Sequence, residues 1–231
     1  MGPHSKAINA FNNAKVYFAS PDSVSKSLLG IRVFNNGVAF KQVAIQLGGP
    51  LLLIPAETTV FNLPLKSTIW YHDLNMHYES VHVKKQLGEV KEGEWVAPPA
   101  TIQLPQGFYA SITEACLIKY PGMALQSNGQ GGLALRLANE QPTSYPYKLR
   151  YSAEDTLRLQ KPAAFKGMIA TPWRVIMIGK DLNSLVNNDI VTNLNPAPDV
   201  KLFPNGLQTE WIKPGRAVWK YLNGGGDGTL E

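Results

Sequence analysis

Along much of this chain apolar and polar residues alternate one by one, in short runs that end at Gly, Pro or Asn. A period of two sends successive side chains to opposite faces of a strand, so the pattern predicts sheets rather than long helices. Leu29–Val33 and Val38–Phe40 are such runs, and Asn35-Asn36-Gly37 lies between them. Asn-Gly between alternating runs predicts a tight hairpin with positive φ at its central residues. Ile45–Ala56 reads as two short strands around a Gly-Gly-Pro break, and Thr58–Tyr71 as a β-branched, alternating stretch. Thr101–Leu104, Gly107–Ile118, Leu133–Leu137, Tyr145–Tyr151 and Thr156–Leu159 repeat the pattern.

Phe165–Gly179 is almost continuously apolar, as expected of a strand buried on both faces. Asp181 is placed to cap a short helix ending at Val186, because its carboxylate can accept the free amides of a first turn. Residues 1–28 are polar and poorly periodic, and residues 72–99 predict a long irregular excursion that ends at Pro98-Pro99. Asn195-Pro196-Ala197-Pro198 stops regular structure and opens a linker over 196–210. Trp211-Ile212 and Ala217-Val218-Trp219 then predict short strands of a new unit over 211–231. This gives about ten strands and one helix, best satisfied by an all-β, two-sheet sandwich over residues 29–195.

Composition agrees. Of 231 residues 44% are hydrophobic and only 17% charged, with 20 Gly and 17 Pro to make turns. The formal charge of +5 would permit a nucleic-acid partner, but Lys84-Lys85 is the only basic doublet and no basic arm or stripe occurs. The longest aliphatic run, Leu51–Ile54, falls far short of the about 20 residues of a membrane span. Cys116 stands alone, which excludes an intrachain disulfide and a cysteine metal cluster; it reads as a small apolar residue.

Glu114 is the residue that does not fit its pattern. Strand alternation over Gly107–Ile118 puts it with Ala110, Ile112, Cys116 and Ile118, the more apolar face. A buried carboxylate must be paired, protonated or metal-bound, because leaving it alone costs about 2 kcal/mol or more. The plain solution is an ion pair to Arg174 or Arg136, the sharper one a hard cation, which prefers oxygen ligands. His72, His77 and His82 recur at intervals that no helix or strand gathers on one face, so they predict exposed loop histidines rather than a zinc site. Trp70, Tyr71 and Trp95 are candidates for stacking on sugar rings. Gly224–Gly228 lacks the Gly-Lys-Ser/Thr ending of a phosphate loop.

Five segments, in order, resemble one family. They are Asn35–Lys41, Ile112-Thr113-Glu114-Ala115 with Tyr120-Pro121-Gly122-Met123, Thr171-Pro172-Trp173-Arg174, Asn193–Pro196 and Trp211–Gly215. Together they resemble glycoside hydrolase family 97, bacterial α-glucosidases and α-galactosidases. The resemblance implies a galactose-mutarotase-like supersandwich, truncated here, followed by the first strand of a (β/α)8 barrel. It implies a parent enzyme of the periplasm or the secreted space that acts on oligosaccharides. It implies Ca²⁺ at the domain junction, with Glu114 as the ligand given by the sandwich. The catalytic carboxylates would lie in the barrel and none in this chain. Trp219 would lie in the first barrel strand, near the sugar pocket. A carbohydrate-binding sandwich without catalysis is the alternative.

Overall fold

The computed structural model describes residues 4, 6–19, 25–46, 51–74, 80–141, 153–208, 210–213 and 215–216. The chain divides into two compact units, Met1–Asn195 and Pro196–Glu231.

The first unit is a sandwich. Its large sheet runs in the order β1 (Asn12–Ala19), β2 (Ser25–Phe34), β3 (Gly37–Gln46), β15 (Trp173–Gly179), β10 (Tyr109–Ala115), β9 (Ala100–Gln103), β6 (Thr68–Tyr71), β7 (Val83–Gln86). β14 (Met168–Ala170) pairs with β3 off this path. The small sheet runs β5 (Val60–Asn62), β12 (Gly132–Leu137), β11 (Met123–Ser127), β8 (Trp95–Val96), and β4 (Leu52–Ile54) pairs with β13 (Ala163–Phe165). All these pairings are antiparallel, so short turns suffice to join neighbouring strands.

The alternation places the core. Leu133, Leu135 and Leu137 of β12 point inward and are fully buried, as are Leu125 of β11 and Ile69, Ile102 and Ile112 of the large sheet. Each such side chain contributes about 1.5–3 kcal/mol by leaving water. On the other face of the large sheet Val175 and Trp173 pack against Ile190 and Leu194 of α3 (Ile190–Leu194).

The hairpin forms, but differently from the expected turn. Phe34 pairs with Gly37, so Asn35 and Asn36 are its central residues, and neither has positive φ. Gly37 serves close approach instead: a Cβ there would meet the Ile176 carbonyl oxygen and would lie 2.7 Å from Ile190 Cδ1. Asp181 caps α2 (Leu182–Val186), accepting the Ser184 amide at 2.7 Å.

Other expectations are corrected. The polar start forms β1, because β2 offers it a full register of backbone partners from Asn12↔Val33 to Ala19↔Lys26. Thr156–Leu159 is not a strand but part of α1 (Ala153–Leu159), where an Arg158–Glu154 pair spans one turn at 2.9 Å. The apolar run 165–179 is three strands: Gly167 at φ +83° turns β13 into β14. Pro172, which has no amide, then separates β14 from β15. Both still follow β3, with one extra residue bulged out between the pairs Ala170↔Val43 and Arg174↔Phe40. Nor is the run buried throughout, since Met168 is 67% exposed. Residues 72–99 hold β7 and β8 rather than a bare loop. The described residues carry fifteen strands and three short α-helices, against about ten and one expected. Trp211-Ile212 lies in turn and irregular chain, not a strand. Tyr145–Tyr151 and Ala217-Val218-Trp219 lie outside the described residues.

Candidate functional site

Register sets the site. β10 and β15 pair with Glu114 opposite Arg174, which puts both side chains on the inner face at one end of the sandwich. Arg174 Nη1 donates to Glu114 Oε2 at 2.5 Å. The rest of the guanidinium is taken by Glu57, from the segment leading into β5: Nη2 donates to Oε1 and Nε to Oε2, the latter at 3.3 Å. Arg174 is 1% exposed, Glu57 10% and Glu114 16%. Tyr120 donates its hydroxyl to Glu57, and its ring lies 5.8 Å from the guanidinium carbon.

The chain then closes on itself. Three residues after Tyr120, the Met123 amide at the start of β11 donates to Glu114 Oε1 at 3.2 Å. Cys116 and Lys119 hold left-handed φ values of 59° and 52° in the turn that makes this return. Glu114, Arg174, Glu57 and Tyr120 thus form a ring that ties the large sheet to the small one.

The charges in the ring do not cancel. Two carboxylates share one guanidinium, so the expected pair with Arg174 exists but is not a neutral pair. Burial pushes the Glu114 carboxyl above the usual range; the Met123 amide and Arg174 pull it back and Glu57 adds to the rise, with a net upward shift. Burial, then Glu57, likewise drive the Tyr120 phenol upward. Glu57 and Tyr120 also line a cleft of about 360 Å³ walled by Leu52, Ile54, Phe165 and Ile169.

The fit to a cation is therefore partial. Carboxylate oxygens carry two lone pairs each, so Glu114, part-exposed and with charge in excess around it, can still serve as one ligand. It cannot be a complete calcium site, which takes six to eight oxygens, about. No group of three or more His, Cys, Asp or Glu suited to a metal occurs among the described residues.

Other sequence candidates are placed elsewhere. Arg136 bonds Gln126 through Nε at 2.9 Å and does not meet Glu114. His72, one residue past β6, is 5% exposed rather than a surface histidine, and its carbonyl accepts the Ala97 amide at 2.9 Å; its ring lies 5.0 Å from that of His82. His77 and Trp219 lie outside the described residues. Tyr71 is fully buried rather than open to a sugar, with its hydroxyl on Glu94, and is pushed up to about 12 by burial first and Glu94 next. Trp70 and Trp95 are half-buried, and Trp70 stacks on Tyr109 at 6.4 Å. Cys116 is half-buried, its amide donating to Asn195 Oδ1 at 3.2 Å. Glu57 and Tyr120 carried no signal of their own: Glu57 stands 117 residues from Arg174 in an unpatterned segment.

Comparison with known proteins decides the family. The model of the glycosyl-hydrolase 97 N-terminal domain matches residues 1–197. This chain belongs to that family. It is 28% identical over 199 residues to a probable retaining alpha-galactosidase from Streptomyces bingchenggensis (strain BCW-1), covering 85% of this chain and 26% of the relative. It also superposes on a glycoside hydrolase family 97 enzyme in complex with acarbose from Pseudoalteromonas sp. strain K8, with TM-score 0.73 and 26% identity, over 93% of this chain and 29% of that one. A beta-arabinopyranosidase shares the fold at TM-score 0.52 and 16% identity, over 74% of this chain and 27% of that one. The chain thus spans about a quarter of the length of these relatives. The matched span starts at residue 1, so the likeness takes in the polar start as well as residues 29 onward. No described helix is long and apolar enough to cross a membrane.

Proposed function

We propose that this chain is the sandwich portion of a periplasmic or secreted α-glycosidase that releases terminal glucose or galactose from oligosaccharides. In this reading the catalytic carboxylates belong to a barrel domain, and the sandwich supports that domain and contributes one carboxylate, Glu114, to a Ca²⁺ site completed elsewhere. The observation that carries it is the excess negative charge at Glu114, Glu57 and Arg174 in a family of glycoside hydrolases. When bound, such a cation supplies charge stabilisation near the sugar. What this chain's residues do is narrower. Arg174 and the Met123 amide hold the Glu114 carboxylate, and Glu57 and Tyr120 hold Arg174.

Hydrolysis of nitrophenyl α-glucoside and α-galactoside by the longer protein tests the reading, with 1–231 alone as the control. Turnover by the longer protein and none by 1–231 is the expected result. Turnover by 1–231 would place catalytic acids in this chain and overturn it. Calcium calorimetry on the longer protein, with and without Glu114→Ala, tests the ligand.

The stacked Trp70–Tyr109 pair, beside Thr101 and Gln103 on the large sheet, favours a second reading as a sugar-binding module. Tryptophan fluorescence of 1–231 titrated with maltose and melibiose separates the two: quenching supports the module, and a flat trace rejects it.

A further inference from the structure

We propose that Arg174 is a positioning residue for Glu114, and that Glu57 and Tyr120 hold Arg174 for that task. The inference rests on the reading of Glu114 as one ligand of a cation shared with another domain.

A lone glutamate on a strand rotates about three side-chain bonds, and ordering it when a ligand arrives weakens binding. Here both oxygens are fixed beforehand. Oε2 meets a guanidinium on the neighbouring strand at 2.5 Å, and Oε1 meets a backbone amide of the other sheet at 3.2 Å. The guanidinium cannot drift, because its Nη2 and Nε edge is forked onto Glu57, and Tyr120 in turn donates to Glu57. Arg174 is 1% exposed, so water does not loosen the arrangement. A planar fork can serve two carboxylates at once on fixed vectors, whereas an ammonium is a point charge on a flexible stem.

Positioning and plain electrostatics predict opposite outcomes. As a positive charge beside the ligand, Arg174 should repel a cation, so its loss should tighten binding. As a positioning group it should strengthen binding, and a lysine that keeps the charge should not replace it.

The experiment is calorimetric titration of the longer protein with CaCl₂, as wild type, Arg174→Lys and Tyr120→Phe, with thermal melting as the check on folding. We expect Arg174→Lys to weaken Ca²⁺ binding about 10-fold or more, the usual effect of losing a group that orients a ligand. Tyr120→Phe, which changes no charge, should weaken it about threefold, as for one lost hydrogen bond. Unchanged or tighter binding in a folded Arg174→Lys protein overturns the proposal. If that variant does not fold, Tyr120→Phe decides by the same measure, and unchanged affinity there overturns it. Absence of Ca²⁺ binding by the wild type removes the calcium reading itself, before any variant is compared, and the positioning role with it.

Discussion

Arg174 and Gly37 show how single residues govern the sandwich. Arg174 is the largest fully buried side chain, and its one charge answers two carboxylates. Removing one partner of a buried charged set leaves the others uncompensated, at a cost of about 3–5 kcal/mol. Arg174→Met should lower the unfolding free energy obtained from urea denaturation by an amount in that range, and a change near zero would show the ring to be dispensable. Double replacement with Glu114→Leu should recover part of the loss, because it removes one of the stranded charges. Gly37→Ala tests a different force, since its methyl would press on the Ile176 carbonyl and on Ile190 Cδ1. A loss of about 1–3 kcal/mol is expected in the same assay, as for other overpacked sites. The residue pattern singled out Glu114 and named Arg174 as a partner, because strand alternation assigns faces. Glu57 was out of reach, since no local period links residues 117 apart.

At the scale of elements, the ends of strands behave unlike their middles. Leu133–Leu137 keeps a strict alternation of buried and half-buried residues, whereas Ala110, Ser111 and Ile112 of β10 are buried in a row; both strands were legible because each lies between two partner strands. Thr156–Leu159 alternates too, yet it is helical: a seven-residue segment with an (i, i+4) Glu154–Arg158 pair has local reasons to coil. The end of β6 carries a pH response. Burial, and then His82, hold the His72 imidazole below its usual value, with Asp73 opposing. The unfolded chain therefore binds a proton at a higher pH than the folded one. Stability from His72 is present above the unfolded value of about 6.5 and is lost as pH falls below it toward the lowered folded value. The denaturation midpoint should drop between about pH 7 and pH 5, and His72→Gln should flatten that part of the curve. An equal slope in the variant would assign the effect to other groups.

Across the whole molecule, the large sheet ends in an edge that has consequences. All eight residues of β1 are exposed, including Tyr17 at 73% and Phe18 at 52%, and its outer backbone has no described partner strand. Open, apolar edges template pairing with other chains. The isolated 1–231 chain should self-associate as concentration rises, and Tyr17→Lys should reduce this in light scattering. A monomer at high concentration in both proteins would show the edge to be harmless. The sequence alone determined that this is an all-β sandwich, because a two-residue period with Gly and Pro breaks admits few other packings. It also determined that Glu114 needs a partner, because burial of a charge costs the same wherever the chain leads. Only the tertiary structure decided what answers that charge. The pairing of β10 with β15 and the closing of one sheet over the other bring Arg174, Glu57 and Tyr120 together from three distant segments, and a contact made through space leaves no period in a chain.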